Sequence, residues 1–451
     1  MQLYVIKNGR LTGTLTETND GIITFEYADD IAADQFLPGL ADRINTAPTL
    51  FPIFENLLPE HEQLTLLSIK HNITNKIGTL LYLDNVHGSF EFYDNINNIP
   101  EPSEFTRFIY SQTKDSILES NYTFPNILND YTLDVPVERL YPSGLTGSKI
   151  TGISGYQYKF SVHKDDVHKR IYLNDDNESH YILKPNNLHY SKFNPKDRDN
   201  IYIPFLLVNE HIFMSFARNF GFDIPYNGII KHGEHFHYII KRYDRFQNMK
   251  IDHYEILSLL GKQSTDKYSI TCKEIIEKCK EYLTADDLIK LFRFIVFSII
   301  IGHGDLHAKN ISLIYHSNNP DETKMEFSPL YDISTSSIYF DVDNNDIGLS
   351  INGKKKEITL NDLLWLADVA NIQEDVAKSI IADIAMQFVE TFKVHIDKLP
   401  SYIKELPFHA KRSIYSSRLS LNEIFSKYYT NRCKYIEQYL FIIRTPASIW
   451  E

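Results

Sequence analysis

The chain has 451 residues, 43% of them hydrophobic and 23% charged, and a formal net charge of -13. It is about three times the length of a typical domain of roughly 150 residues, so it can bury a large core, and disordered and fibrous classes are excluded. Its 59 Asp and Glu outnumber 46 Lys and Arg, which argues against unaided binding of nucleic acid, because that binding depends on neutralised phosphates.

Cys272, Cys279 and Cys433 cannot make a disulfide framework and lack CxxC metal spacing, so a reducing compartment is expected. Cys272 and Cys279 are seven apart, on one helical face, as core thiols are. Lys7 and Arg10 interrupt the first apolar stretch, and the longest apolar run, Phe294 to Ile301, is far short of a membrane span. A soluble cytoplasmic protein without a membrane partner is expected.

Residues 2–27 alternate apolar and polar, with Asn8-Gly9 and Asp20-Gly21 as turn signals, and predict a small antiparallel meander. Pro48, Pro52 and Pro59 bracket the next apolar segment, and a helix follows to about Ile69. The Asn-, Asp-, Ser- and Pro-rich stretches 94–105 and 112–136 place a boundary near 136. Glycines 144, 147, 152 and 155 then punctuate a loop, and strands are expected at Tyr158–Val162 and His180–Lys184. Phe205, Val208, Ile212, Phe216 and Phe220 recur at helical spacing ahead of Gly221. Two more strands, Tyr226–Ile230 and His237–Tyr243, flank a polar turn. Beyond 245 the helical period predicts helices at 253–260, 271–283, 285–301, 360–369, 374–398, 416–428 and 430–443. The fold class is therefore α+β, organised as an added N-terminal unit (1–136), a sheet-bearing lobe (137–245) and a helical lobe (246–451).

The segment His303-Gly304-Asp305-Leu306-His307-Ala308-Lys309-Asn310 follows the most apolar helix of the chain. Kinase chemistry uses an Asp that takes the attacking hydroxyl's proton and, five residues on, an Asn that holds Mg²⁺. Asp305 and Asn310 have that spacing, and Lys309 is a candidate electrostatic partner for the transferring phosphate. A capped helix end or a His-Asp-His zinc site are the competing accounts. Phe327 to Asp332 is a short apolar run ending in an acid, 22 residues after Asn310, and would bring a second Mg²⁺ ligand from a strand edge. The loop from Gly144 to Lys159 lets backbone N–H groups approach phosphate but lacks GxxxxGK[ST], which removes Walker-type NTPases. Lys184, central in an apolar strand, needs a partner, and Glu210 on the 205–220 helix is placed to supply one at a cleft flank. His232, His235 and His237 around Glu234 read as a solvated hairpin turn, and Lys354 to Lys356 as a solvated charge run.

In their order along the chain these segments resemble the HipA-like serine/threonine kinases, the toxins of bacterial toxin–antitoxin pairs. Tyr4-Val5-Ile6-Lys7-Asn8-Gly9 and Phe54-Glu55-Asn56-Leu57-Leu58-Pro59 are similar to that family's N-terminal domain. Ile153 to Lys159 resembles its phosphate loop, and Tyr181-Ile182-Leu183-Lys184-Pro185 its nucleotide-lysine strand. Asn209-Glu210, Lys241 to Arg245, Asp305 to Asn310 and Pro329 to Thr335 complete the series.

The resemblance implies a bilobal protein-kinase-like fold, with ATP and Mg²⁺ as cofactors. It implies Asp305 as catalytic base, Asn310 and Asp332 as Mg²⁺ ligands and Lys184 on the α/β-phosphates. Ser154, Gly155, Tyr156, Gln157 and Lys159 would cover the phosphates, the backbone of Lys241 to Tyr243 would meet adenine, and His307 and Tyr331 would line the nucleotide pocket. It further implies phosphorylation of a protein Ser or Thr, an aminoacyl-tRNA synthetase among the candidates, and a HipB-like DNA-binding antitoxin through which any DNA contact would run. Family members silence themselves by phosphorylating a serine in the phosphate loop; here Gly152 stands at that position, leaving Ser154 or Thr151. The loop around Asp305 also resembles the HGDLHxxN loop of aminoglycoside and choline phosphotransferases, so a small-molecule phosphotransferase is the alternative, beside a silent scaffold or antitoxin. Pro329-Leu330-Tyr331-Asp332 and the N-terminal unit favour the HipA-like reading.

Overall fold

The computed structural model describes residues 1–440 apart from 85, 101–109, 136, 138–149, 152–158, 174–178, 198, 200, 248, 316–324 and 414. The alternation of residues 2–27 folds as expected into part of a five-stranded antiparallel sheet. Its order is Ile44–Ala47, Ile23–Tyr27, Arg10–Glu17, Gln2–Lys7 and Phe90–Tyr93. Leu3, Val5, Leu15, Ile23 and Phe25 are fully buried on one face, the result of a two-residue side-chain period. Asn8 and Gly9 both take positive φ, 50° and 71°, which a two-residue hairpin loop requires.

The second sheet has six strands in the order Asn227–His232, His235–Lys241, Tyr181–Lys184, Phe160–Asp165, Arg170–Leu173 and Thr132–Asp134. The last pairs in parallel with Arg170–Leu173, so this sheet takes in residues just before position 136. One face closes a small core of its own, with Val162, Ile171, Leu183 and Ile239 at its centre. The other face packs on the helix Leu206–Arg218, whose residues from Leu207 to Ala217 are all buried, Glu210 included. That helix is held between sheet and helical lobe, and it ends before Gly221, which has φ 76°.

The helical lobe is built on Cys272–Cys279, Ala285–Ile301, Leu360–Val369, Glu374–Asp397 and Leu421–Tyr435. Thr284 caps Ala285–Ile301 by accepting from the Asp287 N–H, an interaction worth about 1 kcal/mol. Three expected helices differ. The 253–260 segment splits into a buried strand, Asp252–Glu255, paired with Ser312–Tyr315, and one helical turn, Ile256–Leu259; long-range pairing overrides local periodicity there. The expected helices 416–428 and 430–443 become a strand, Arg418–Ser420, one helix, Leu421–Tyr435, and a π-helical turn, Ile436–Leu440. The apolar stripe Ile424, Phe425, Tyr428, Tyr435 runs through the proposed break, and the Thr430 hydroxyl donates to the Ser426 carbonyl within the helix at 3.0 Å.

The N-terminal unit is locked to the junction of the two lobes. Asp244 accepts from Arg242 Nη2 at 2.7 Å, from Arg245 Nη1 at 3.1 Å and from the Gly88 N–H at 2.9 Å. The same arginines donate to the Val86 carbonyl at 2.8 and 2.9 Å. The two guanidinium groups outweigh burial and hold the Asp244 carboxyl well below the usual range. Asp244→Ala removes the carboxylate that both buried arginines share, so equilibrium unfolding is expected to show a loss of about 3–5 kcal/mol. The exposed Arg170–Asp134 pair should be removable with little change in the midpoint.

Candidate functional site

The helix Ala285–Ile301 ends at Gly302, left-handed at φ 65°, and delivers residues 303–310 as a loop. Arg432 closes the helix end, donating to the carbonyls of Ile299 and Ile300 and to Asp346, so a cation meets the negative end of the helix dipole. A Cβ on Gly348 would fall on the carbonyls of Gly304 and Leu306; only glycine lets this backbone lie against the loop. Within the loop, Asn310 Oδ1 accepts the His307 N–H at 3.0 Å, and the Tyr331 hydroxyl donates to the Lys309 carbonyl at 2.7 Å.

A cavity of about 490 Å³ opens between the lobes. Lys159, Lys184, Glu210, Lys241 and Tyr243 line it from the sheet-bearing side, and Asp305, His307, Lys309, Asn310, Tyr331 and Asp332 from the helical side. Ser154, Gly155, Tyr156 and Gln157 lie outside the described residues, and Thr151 is described only as backbone, in a two-residue strand parallel to Leu83–Asp84.

Lys184 Nζ pairs with Glu210 Oε1 at 2.7 Å and, closer still, with Asp332 Oδ1. Lys184 and Glu210 side chains are each 6% exposed. Although burial opposes its charge, Asp332 and Glu210 raise the lysine's pKa; although burial opposes ionisation of Asp332, Lys184 and Lys159 keep it a carboxylate. Glu210, buried and repelled by Asp332, is pushed up to about 7 despite Lys184. Asp332 is presented by a left-handed residue, φ 56°, and not by the strand edge expected, since the adjoining strand ends at Phe327. That conformation costs of order 1 kcal/mol in a non-glycine residue and marks functional sites more often than loops at large.

Asp305 stays exposed at the cleft mouth, yet the protein packed around its carboxyl raises it above the ordinary carboxylate range, partly offset by the Tyr268 hydroxyl, which donates to its Oδ1. His307 is held neutral by burial, its pKa lowered to about 3. Lys309 is 3% exposed, and its ammonium donates to the Asn56 carbonyl at 3.2 Å with Glu60 at 3.5 Å and Glu255 at 3.6 Å. Its charge is thus matched by carboxylates behind the loop. The Lys241 side chain points to Glu119 at 2.5 Å.

Two family descriptions match: "HipA N-terminal domain" over residues 3–86 and "HipA-like C-terminal domain" over residues 151–392. The chain belongs to the HipA-like family. Its curated relatives include a "Putative kinase" of Haemophilus influenzae, 28% identical over 212 residues, which are 43% of this chain and 55% of the relative. "Putative kinase Y4mE" of Sinorhizobium fredii is 24% identical over 360 residues, 75% of this chain and 78% of that protein. The HipA-like chain thus spans about half the length of the Haemophilus relative. A solved Shewanella oneidensis complex of HipA, HipB and operator DNA shares the fold, with TM-score 0.60 and 16% identity over 97% of each chain. The HipA-like chain has the bilobal kinase-like α+β fold, and among its described residues no helix is long and apolar enough to cross a membrane.

Sequence reasoning missed Glu60, His87, Glu255, Lys267 and Tyr268, which also line the cavity. Glu60 directly follows the Phe54–Pro59 segment, and its position there was its only signal. Its carboxylate pairs with Lys267 at 2.6 Å and accepts from Ser264 Oγ at 3.1 Å. Burial would raise its pKa, but Lys309 and Lys267 hold it at about 2. A depressed carboxylate contributes stability above its unfolded value of 4.5 and loses it as pH falls toward 2. Glu60→Gln is therefore expected to lower the melting midpoint at pH 7 and to flatten its decline between those two pH values, as read by thermal unfolding across pH.

Proposed function

We propose that this chain is an ATP- and Mg²⁺-dependent kinase that transfers the γ-phosphoryl group to a serine or threonine of a protein. The observation that carries the reading is one cavity joining a buried Lys184–Glu210 pair to Asp332, Asn310 and Asp305. Lys184 and Lys159 supply positive charge where a triphosphate would lie. The Asp332 carboxylate and the Asn310 amide oxygen are hard oxygen donors suited to Mg²⁺, and the depressed pKa of Asp332 keeps it anionic. When bound, the metal would neutralise charge on the transferring phosphoryl group.

Asp305 acts as the base that orients and receives the acceptor proton. Tyr331 and Asn310 fix the loop that carries it, and Lys309 ties that loop to the N-terminal subdomain. The backbone of Lys241 to Tyr243 serves adenine, His307 and Tyr331 border the nucleotide, and residues 154–159 cover the phosphates. Ser154 or Thr151 is the self-modified residue. The Shewanella complex contains HipB and operator DNA; by extension a HipB-like antitoxin is the partner here, contact with DNA runs through it, and an aminoacyl-tRNA synthetase is the protein target. The net charge of -13 supports that division of labour.

Incubation with γ-labelled ATP and a bacterial lysate should place label on Ser or Thr of a protein. Asp305→Asn should lower the rate by about 10²–10⁴-fold, and Asp332→Asn should abolish transfer, both variants remaining folded. The wild-type rate should fall on acidification, with its acid limb above the ordinary carboxylate range because Asp305 is raised. Undiminished transfer by either variant, or label confined to small molecules, contradicts the proposal.

A further inference from the structure

A second cavity, about 440 Å³, adjoins the nucleotide cavity at Asp305 and shares Ile203, Leu206, Tyr268, Asp305 and Ser334 with it. Its size is within the ~300–1,000 Å³ of cavities that hold a ligand. Where the two meet, the Tyr268 hydroxyl donates to Asp305 Oδ1. An acceptor hydroxyl must make that same hydrogen bond to the base before it attacks. Tyr268 is 41% exposed and its ring meets His307 edge-on at 5.1 Å, so side-chain rotation into solvent vacates the position.

The rest of the cavity has a definite chemistry. Leu206 and Val342 make an apolar wall, and Asp343 stands exposed at the rim with no ion pair among the described residues. The lining also carries Lys355, whose ammonium donates to the Tyr268 carbonyl at 3.1 Å. Against this one cation stand the carboxylates of Asp305 and Asp343, so the net charge of the lining is negative.

We propose that this cavity is the acceptor subsite, and that Tyr268 holds the place of the acceptor hydroxyl until a substrate displaces it. The inference rests on the kinase reading above and adds the substrate class: a Ser or Thr with an apolar side chain beside it, packed on Leu206 and Val342, and a Lys or Arg nearby, facing Asp343. In the transfer the acceptor oxygen bonds to the γ-phosphorus as the β,γ-bridging P–O bond breaks. The acceptor proton passes to Asp305 and ADP leaves.

The test is a positional-scanning peptide library with a central Ser or Thr and labelled ATP, applied to the full chain and to three variants. Binding of a fluorescent ATP analogue reports folding separately. The wild type should select an apolar neighbour and a basic flank. Asp343→Lys should turn the basic preference into an acidic one, by about tenfold, Val342→Arg should erase the apolar preference, and Tyr268→Phe should lower the peptide KM. Selectivity unchanged in folded Asp343→Lys, or an unchanged KM in Tyr268→Phe, overturns this site and leaves the kinase reading standing. A wild type that binds the ATP analogue but labels no peptide also overturns it, and one that neither binds the analogue nor transfers phosphate overturns both.

Discussion

A buried ammonium can persist only if something matches its charge, and in this protein Lys184 meets that demand with carboxylates from two other elements. The strand Tyr181–Lys184, the helix Leu206–Arg218 and the turn at Asp332 converge because the lysine between Glu210 and Asp332 is desolvated. Removing one partner of such a pair typically costs about 3–5 kcal/mol, since a charge is left buried without compensation. The arrangement fixes where the sheet-bearing lobe sits over the helical lobe, and so where the cavity is. It also keeps Asp332 an ionised carboxylate beside buried positive charge.

The N-terminal subdomain belongs to this electrostatic frame. Glu60 reaches Lys267 and Lys309 from one side of the cleft, and Val86 and Gly88 bind the Arg242–Asp244–Arg245 cluster from the other. A second carboxylate, Glu255, shares Lys309 and is itself raised to about 7 by burial. The loop carrying Asp305 is thereby braced from behind by the N-terminal subdomain, through the Asn56 carbonyl and the Glu60 carboxylate. Lys267 and Tyr268 are adjacent in the chain, so the brace ends one residue from the hydroxyl that contacts Asp305.

Much of this was legible in the sequence where the signal is local. Hairpin turns, the capped helix Ala285–Ile301 and the spacing of Asp305 and Asn310 depend on residues within one turn or loop of each other. The need of Lys184 for a partner could be read from its apolar strand, because burial of an amine is a physical liability whatever the fold. What could not be read is pairing at a distance. Asp252–Glu255 carries a helix-like pattern yet forms a strand because Ser312–Tyr315 lies beside it. Glu60 looks like a surface residue until the loop it faces is in place, and nothing local to Tyr268 signals its hydrogen bond to Asp305. Asp332 was expected at a strand edge and comes instead from a left-handed turn, a conformation that sequence does not single out in an aspartate.

In the proposed kinase, Asp332 and Asn310 share one divalent cation next to the phosphates of a nucleotide held by Lys184. A crystal structure of the chain with a non-hydrolysable ATP analogue and Mn²⁺, located by its anomalous signal, tests that directly. The expected result is a metal bound to oxygens of Asp332 and Asn310, Lys184 shifted onto phosphate oxygens while still paired with Glu210, and Asp305 facing the terminal phosphate. A nucleotide seated elsewhere, or a metal that leaves Asp332 bound only to Lys184, would contradict it.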